Sequence, residues 1–419
     1  MRLAHSRAES APAQLLLYDD SMARRFEPFA LTRPVGELRA GTELIRHRWE
    51  LFVGRSADGA IAAAHLADFE ELGAPPVIFD AEPSPVLSAG AIVANARCVV
   101  ALGARTPRDV DVWTCDGRVA AVRLGRDTQL AELGGGEVKL ESLPAAGTRT
   151  AELPGRWVEC VWELVTTLGD QLRADIACTG PALDCALPAG AIVLPGDGAI
   201  YVERGAVVEP MVCFDPSAGP ILVRSGAKVR AFTRLVGPVS VAGGSSILGG
   251  RVDSCSIGEA SMVHGEISNT VVLGHTNKSH DGFVGHSYLG RWVNLGAGTI
   301  TSNLKNTYGA VQLWTPDGLC DTGEIKLGSF IGDHVKTGIG TRLTTGSVMG
   351  AGSNVYGGAM PPKYVPPFSW GEGDGLSMYR LDKFLENAAR AMSRRGVTLG
   401  EREKAQLAAA HALSLEARG

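Results

Sequence analysis

IKLGSF, IGDHVK, TGIGTR, LTTGSV and MGAGSN follow one another from Ile325 to Asn354 and decide the fold. An aliphatic residue opens most of these sixes, and a glycine or another small residue comes soon after it. IGEASM from Ile257 and FVGHSY, LGRWVN and LGAGTI from Phe283 keep the same rhythm. A period of six is the signature of a parallel β-helix, with one short strand and one bend per unit and three units per triangular coil. The aliphatic residue points inward and the small one allows the corner. One coil cannot bury its own interior, so stacked coils supply the core. The pattern runs from near Gly190 to near Gly358.

The composition agrees with turn-rich, repetitive β structure: 53 of 419 residues are glycine and 6% are aromatic. The 45% hydrophobic and 20% charged residues are ordinary for a soluble globular chain. A net charge of -5 gives no reason to expect nucleic acid or an anionic membrane as partner. The eight cysteines are scattered without a CxxC pair, which fits reduced thiols in a cytoplasmic protein. Before the strand-like run at Leu15 there is no apolar segment of signal-peptide length, and nothing is long enough for a membrane span.

Three zones follow. Residues 1–188 mix strand-like runs (LLLY, PPVIFD, ARCVVAL) with helical spacing over Val158 to Leu172, which predicts an α/β domain. Residues 189–360 hold the β-helix. Residues 361–419 open with MPPKYVPPFSW, read as a connector that leaves the solenoid. Two helices follow, broken at Gly396 and Gly400, with Thr398 as N-cap. They are expected to cap the open end of the solenoid.

The period breaks twice, at GHTNKSHDG before Phe283 and between Thr301 and Ile325. Loops thrown out of a regular solenoid are where function tends to sit. The first break carries Lys278, His280 and Asp281. An imidazole suits general-base work because its ordinary pKa lies near neutrality.

The stretch from His280 through VNLGAGTITSN (Val293 to Asn303) resembles the acetyltransferase domain of the bifunctional bacterial enzymes of UDP-N-acetylglucosamine synthesis. The resemblance implies a left-handed β-helix, acetyl-CoA as donor and an amino-sugar phosphate as acceptor. It implies His280 as the base that takes a proton from the amine, with Asn294 and Asn303 placing the sugar phosphate and the acetyl group. Lys278 and Lys305 join the substrate-binding set. Phe283 stands where the family has a tyrosine, so a hydroxyl contact is lost there. A homotrimer along the β-helix, with the acyl site between subunits, is also implied.

YDDSMARRFEPFALTRPVGELRAG, Tyr18 to Gly41, resembles the opening of an alternative, Bacteroidetes-type branch of the same family. That implies a nucleotidyltransferase-like domain acting on a nucleoside triphosphate and a sugar 1-phosphate. Arg33 is expected to be catalytic. Arg24, Arg25, Glu37 and Arg39 are expected to bind substrate, and Asp19 and Asp20 to hold Mg²⁺. The usual glycine-rich loop with an arginine and a lysine is read as missing from this chain. Three other readings stay open: a nucleotidyltransferase whose β-helix regulates it or takes another acceptor, a non-enzymatic solenoid scaffold with a decayed first domain, and a zinc site among His264, His275, His280 and His286.

Overall fold

A computed structural model describes residues 14–107 and 109–418. The reading of the first thirteen residues as free of a signal-type apolar run lies outside the described residues.

LLLY forms strand β1 (Leu15–Tyr18), buried along its whole length. Successive side chains point to opposite faces. Leu15 and Leu17 therefore enter one core while Leu16 and Tyr18 enter another. An unbroken apolar strand needs that cover on both sides. Helix α1 (Ile45–Val53) follows, then β2 (Gly59–Ile61), β3 (Val77–Ile78), β4 (Ile92–Asn95), β5 (Val112–Cys115), β6 (Arg118–Arg123) and β7 (Thr150–Glu152). They make one seven-stranded sheet in the order β7-β5-β6-β4-β1-β2-β3. Both β2 and β4 run parallel to β1, on its two sides. The chain thus leaves β1 in one direction and later returns on the other. A crevice opens at the carboxyl ends of strands at such a switch point.

The helix expected over Val158 to Leu172 starts later, as α2 (Glu163–Thr166) and α3 (Leu168–Thr179). Val158 instead extends the pairing of Gly155–Trp157 with Cys98–Val100, its N–H donating to the Arg97 carbonyl at 2.9 Å.

From Ile192 the chain winds into parallel coils. One side shows the inward ladder in full: Val202, Val223, Val241, Ile257, Val272, Leu289, Ile331, Met349 and Val365 stand in register. All nine belong to the solenoid core. The residue before each of them points outward. On this side several of those are apolar: Leu222, Val271, Tyr288, Phe330 and Val348 join Leu15, Leu17 and Phe29 in one continuous core. The first domain is therefore glued to one flat face of the β-helix by apolar burial, worth roughly 25 cal/mol per Å² removed from water.

Two expectations about the third zone change. MPPKYVPPFSW does not leave the solenoid: Tyr364–Val365 and Ser369–Glu372 continue its ladders, and a hairpin to Gly375–Met378 ends them. The helices α4 (Leu381–Ser393) and α5 (Glu401–Glu416) lie along the side rather than over the open end. Phe384, Ala388 and Met392, spaced by four, bury one stripe of α4 against Trp292, Phe368 and Tyr379. Helix α5 reaches back to the first domain, where the Arg402 guanidinium donates to the Ala67 carbonyl at 3.4 Å. Its N-cap is Gly400, not Thr398, and no side chain caps it.

His334 sits where α4 meets the β-helix. It is buried beside Trp292 and meets Phe384 edge-on at 5.9 Å. Its Nδ1 has no hydrogen-bond partner among the described residues. Burial first, then the charges of Lys336 and Arg33, against a smaller opposing effect of Glu71, hold its pKa down at about 3. The unfolded chain therefore binds the extra proton between the ordinary histidine range and about 3. Stability contributed by this neutral ring is present above pH ~6.5 and is lost as pH falls. In His334→Gln the acid-side stability slope should be shallower than wild type by about 1.4 kcal/mol per pH unit in that window. Urea titrations at a series of pH values measure it. Parallel slopes for the two proteins would show that the ring is not held neutral.

Candidate functional site

The break at GHTNKSHDG is smaller than the sequence suggests. Asn277 and Lys278 form a strand that pairs with Met262 and Val263, so the coil is completed. Only Ser279 to Gly282 bends away. Asn277, Asn294 and Lys336 then stack at equivalent positions of successive coils. The Asn277 Nδ2 donates to Asn294 Oδ1 at 2.8 Å, and the Ser279 hydroxyl donates to Asn277 Oδ1.

These residues form one wall of a cavity of about 760 Å³. His280 hangs into it with an exposed side chain. His275 and Trp292, whose rings lie 4.4 Å apart, close one end. The facing wall is α4, through Asn387, Arg390 and Ala391, with Arg394 and Arg395 in the turn that ends it. Burial, and then Arg291, press the His275 pKa to about 4, so that ring is neutral at neutral pH. Burial brings Lys336 down to about 8.

Of the residues expected here, His280 and Asn294 line the cavity and the others do not. Lys278 is buried, and its Nζ donates to the carbonyls of His264, at 3.0 Å, and His280. It shapes the bend that carries His280 and does not face a ligand. Burial lowers its pKa to about 8. Phe283 and Asn303 meet elsewhere, around Gly285, where a Cβ would touch both side chains. The Asn303 amide donates to His286 Nδ1 at 2.8 Å. The Lys305 Nζ is taken by the Ala310 carbonyl. Among the described residues no group of three or more His, Cys, Asp or Glu side chains could hold a metal ion. Lys336 and the arginines at the end of α4 were not singled out in the sequence, and His275 only as one of four histidines in the zinc reading. The arginines lie about a hundred positions from His280, and helical spacing alone does not say what a helix faces.

The second site is the crevice at the carboxyl ends of β1 and β4. Asp20, Ser21, Asn95, Arg97, Arg118, Lys139 and Trp157 line a hollow of about 380 Å³ there. A neighbouring one of about 200 Å³, at the ends of β2 and β3, is lined by Arg24, Asp80 and Gly136. Between them lies Gly134-Gly135-Gly136, with φ of 55, 64 and 108°. A glycine-rich loop is therefore present after all, supplied from a different part of the chain. The Tyr18 hydroxyl donates to the Val138 carbonyl at 2.9 Å and pins the loop to β1. The Gly136 carbonyl accepts from the Ser21 N–H at 2.8 Å, and a Cβ on Gly136 would lie 2.8 Å from Arg24 Nε. The local signal was GGGEVK, which the motif at Tyr18 does not announce.

The two aspartates do not fit a resident magnesium ion. Asp20 Oδ1 accepts from the Ala23 N–H and Arg97 Nε, both at 2.8 Å; Oδ2 accepts from Asn95 Nδ2 at 2.8 Å and Arg97 Nη2 at 2.7 Å. Four bonds use the four acceptor positions of a carboxylate. Asp19 is buried, accepts from the Val35 N–H at 3.0 Å, and has its pKa raised to about 7, chiefly by burial. It lines neither hollow.

The remaining motif residues do not reach the crevice: Arg25, Arg33 and Arg39 pair across to the β-helix, and Glu37 pairs within the first domain. Arg33 is buried and forks onto Glu71 at 2.7 and 3.1 Å, while its Nε meets Asp333 of the β-helix at 2.8 Å. The Thr32 hydroxyl donates to the same Asp333 at 2.8 Å. Arg39 Nη2 meets both oxygens of Glu259 at 2.6 and 2.7 Å. Glu37 is buried against Arg46 at 2.6 Å. Arg25 pairs with Asp317 on the β-helix hairpin Gln312–Asp321. Arg33 and Arg39 are not free to bind phosphate, because each guanidinium is already committed to carboxylates.

Residues 15–180 match the model of a sugar nucleotidyl transferase family. A bifunctional sugar-1-phosphate nucleotidylyltransferase/acetyltransferase of Sulfurisphaera tokodaii is 35% identical over 95 residues, which are 23% of this chain and 24% of the relative. The bifunctional protein GlmU of Ralstonia pickettii is 28% identical over 198 residues, 47% of this chain and 33% of the relative. The chain thus spans about a quarter to a third of the length of these curated relatives. An Arabidopsis UDP-N-acetylglucosamine acyltransferase structure is 14% identical with a TM-score of 0.22, covering 50% of this chain and 80% of its own. The β-helix assignment rests on the ladders themselves.

Proposed function

We propose that the chain carries two transferase sites: nucleotidyl transfer to a sugar 1-phosphate at the crevice of the first domain, and acetyl transfer to an amino-sugar phosphate at the His280 cavity. The observation that carries the proposal is the convergence of His280, Asn294 and Lys336 on one roomy cavity. The Sulfurisphaera tokodaii relative is named for both activities, the Ralstonia pickettii relative is named bifunctional, and the N-terminal family match is to sugar nucleotidyl transferases. UDP-N-acetylglucosamine synthesis and the branch resembled by Tyr18 to Gly41 are the finer parts of this proposal.

In the acetyl step, an amine held against Asn294 loses its proton to the His280 imidazole as it attacks the thioester carbonyl. The C–N bond forms, the C–S bond breaks, and the imidazolium returns its proton to the leaving thiolate. In the nucleotidyl step, an oxygen of the sugar phosphate displaces pyrophosphate from the α-phosphorus. Arg24 and Lys139, on either side of the glycine loop, face the charge that spreads over the phosphates. Magnesium belongs to this step as part of the triphosphate substrate. A homotrimer along the β-helix belongs to the same proposal. Asn303 lies beside His286 and outside the cavity of its own chain, which leaves it for the donor side of a site on a neighbouring copy. No helix among the described residues is long and apolar enough to cross a membrane.

The test is a panel of sugar 1-phosphates and nucleoside triphosphates, read as pyrophosphate release, with acetyl-CoA thiol release followed in parallel. Lys139→Ala should lower pyrophosphate release by roughly 10²–10³-fold, as expected when a donor to developing charge is removed. Full turnover in that variant would remove the crevice from the mechanism.

A further inference from the structure

We propose that α4 and the turn that ends it supply, within the same chain, the phosphate-recognition wall of the His280 cavity, with Arg394, Arg395 and Lys336 gripping the phosphate ester of a ligand. This deepens the acetyl-transfer reading and rests on it for the identity of that ligand. The geometry comes from the register of the helix. Phe384, Ala388 and Met392 fix one stripe of α4 into the apolar core. Asn387 and Ala391 form the adjacent stripe and are thereby turned into the cavity, and the C-cap Arg394 and the next residue, Arg395, line it from the turn that ends the helix. Lys336 projects from the opposite wall, one coil beyond Asn294.

The charge of this cavity is one-sided. Its lining holds Lys336, Arg390, Arg394 and Arg395 and no carboxylate. The buried arginines elsewhere find acids: Arg33, Arg39, Arg46, Arg48 and Arg97 all sit in ion pairs. Arg390 has Glu386. Among the described residues the side chains of Arg394 and Arg395 have no hydrogen-bond or ion-pair partner. Arg395 is half-buried, and burial first, then the neighbouring Arg394, lower its pKa. Two guanidiniums held together without a counter-charge are relieved by an anion, and guanidinium forks match phosphate oxygens. Either the acceptor's phosphate monoester or the nucleotide phosphates of the thioester donor has that chemistry.

Binding measured without turnover separates the sources. Wild type is titrated calorimetrically at low salt with glucosamine 1-phosphate against glucosamine, and with CoA against pantetheine. One phosphate-bearing probe should bind at least tenfold more tightly than its phosphate-free analogue, and which one does so identifies the source. In Arg394→Gln/Arg395→Gln that gap should collapse to less than threefold; in Arg394→Lys/Arg395→Lys much of it should remain. The matching KM should rise at least tenfold in the glutamine variant, with kcat changed less than fivefold. A circular dichroism melt shows whether α4 still docks. An unchanged gap in the folded glutamine variant overturns the proposal, as does the absence of any gap in wild type. If the gap behaves as stated and no acetyl transfer is found, the phosphate wall stands and the acetyl-transfer reading falls. If transfer proceeds with wild-type KM in the glutamine variant, the reverse holds.

Discussion

His280→Ala should lose acetyl transfer by about 10²–10⁴-fold, the usual value of general-base assistance, while it keeps pyrophosphate release. The amine of an amino-sugar phosphate is mostly protonated at neutral pH and must shed its proton to attack a thioester. His280 is the exposed imidazole in the cavity; His275 is held by Arg291 at 3.2 Å and lies tilted against Trp292. The replacement leaves the inward ladder untouched, because His280 belongs to the bend between Ser279 and Gly282. Its melting temperature should match wild type. Thiol release from acetyl-CoA at saturating acceptor is the readout. A wild-type rate in this variant would remove the imidazole from the reaction.

Arg33→Ala should be a stability variant and not a phosphate-site variant. Arg33 and Asp333 have side chains only 2% and 3% exposed, and Glu71 has 15%. Removing the guanidinium leaves two carboxylates facing each other at the junction of the two domains. Glu71, whose pKa is held at about 2 by Arg291 and Arg33 against the effect of burial, would lose one of its two cations. Breaking a buried pair in this way typically costs about 3–5 kcal/mol, far more than an exposed pair contributes. Urea unfolding should show the loss as a lower midpoint. At low temperature, where the variant remains folded, the KM for nucleoside triphosphate should stay within about twofold of wild type. The opposite pattern, unchanged stability with a large loss in triphosphate turnover, would return Arg33 to the phosphate site.

That contrast shows what the sequence makes legible. The β-helix could be read because its period is local: each inward residue announces itself within six positions, and the ladder from Val202 to Val365 follows. His280 and Asn294 were legible for the same reason, as a short motif on one coil wall. TRPVGELRAG was legible as a motif but not as a junction. Arg33 meets Asp333 across 300 positions and Arg39 meets Glu259 across 220, and nothing local names those partners. Helix α1 was hidden because its buried side includes Arg46 and Arg48, which pair with Glu37 and Asp175. The glycine loop at Gly134 and the arginines at the end of α4 reach their sites through the fold alone.

The central claim is that one chain carries two chemistries at two separate sites. The most direct measurement follows pyrophosphate and free thiol together, in one reaction of wild type, His280→Ala and Lys139→Ala with acetyl-CoA, an amino-sugar 1-phosphate, its N-acetylated form and a nucleoside triphosphate. The account predicts both products from wild type, pyrophosphate without thiol from His280→Ala, and thiol without pyrophosphate from Lys139→Ala. Wild type that releases no thiol with any amino-sugar phosphate, or a single variant that abolishes both products while still folded, would contradict it.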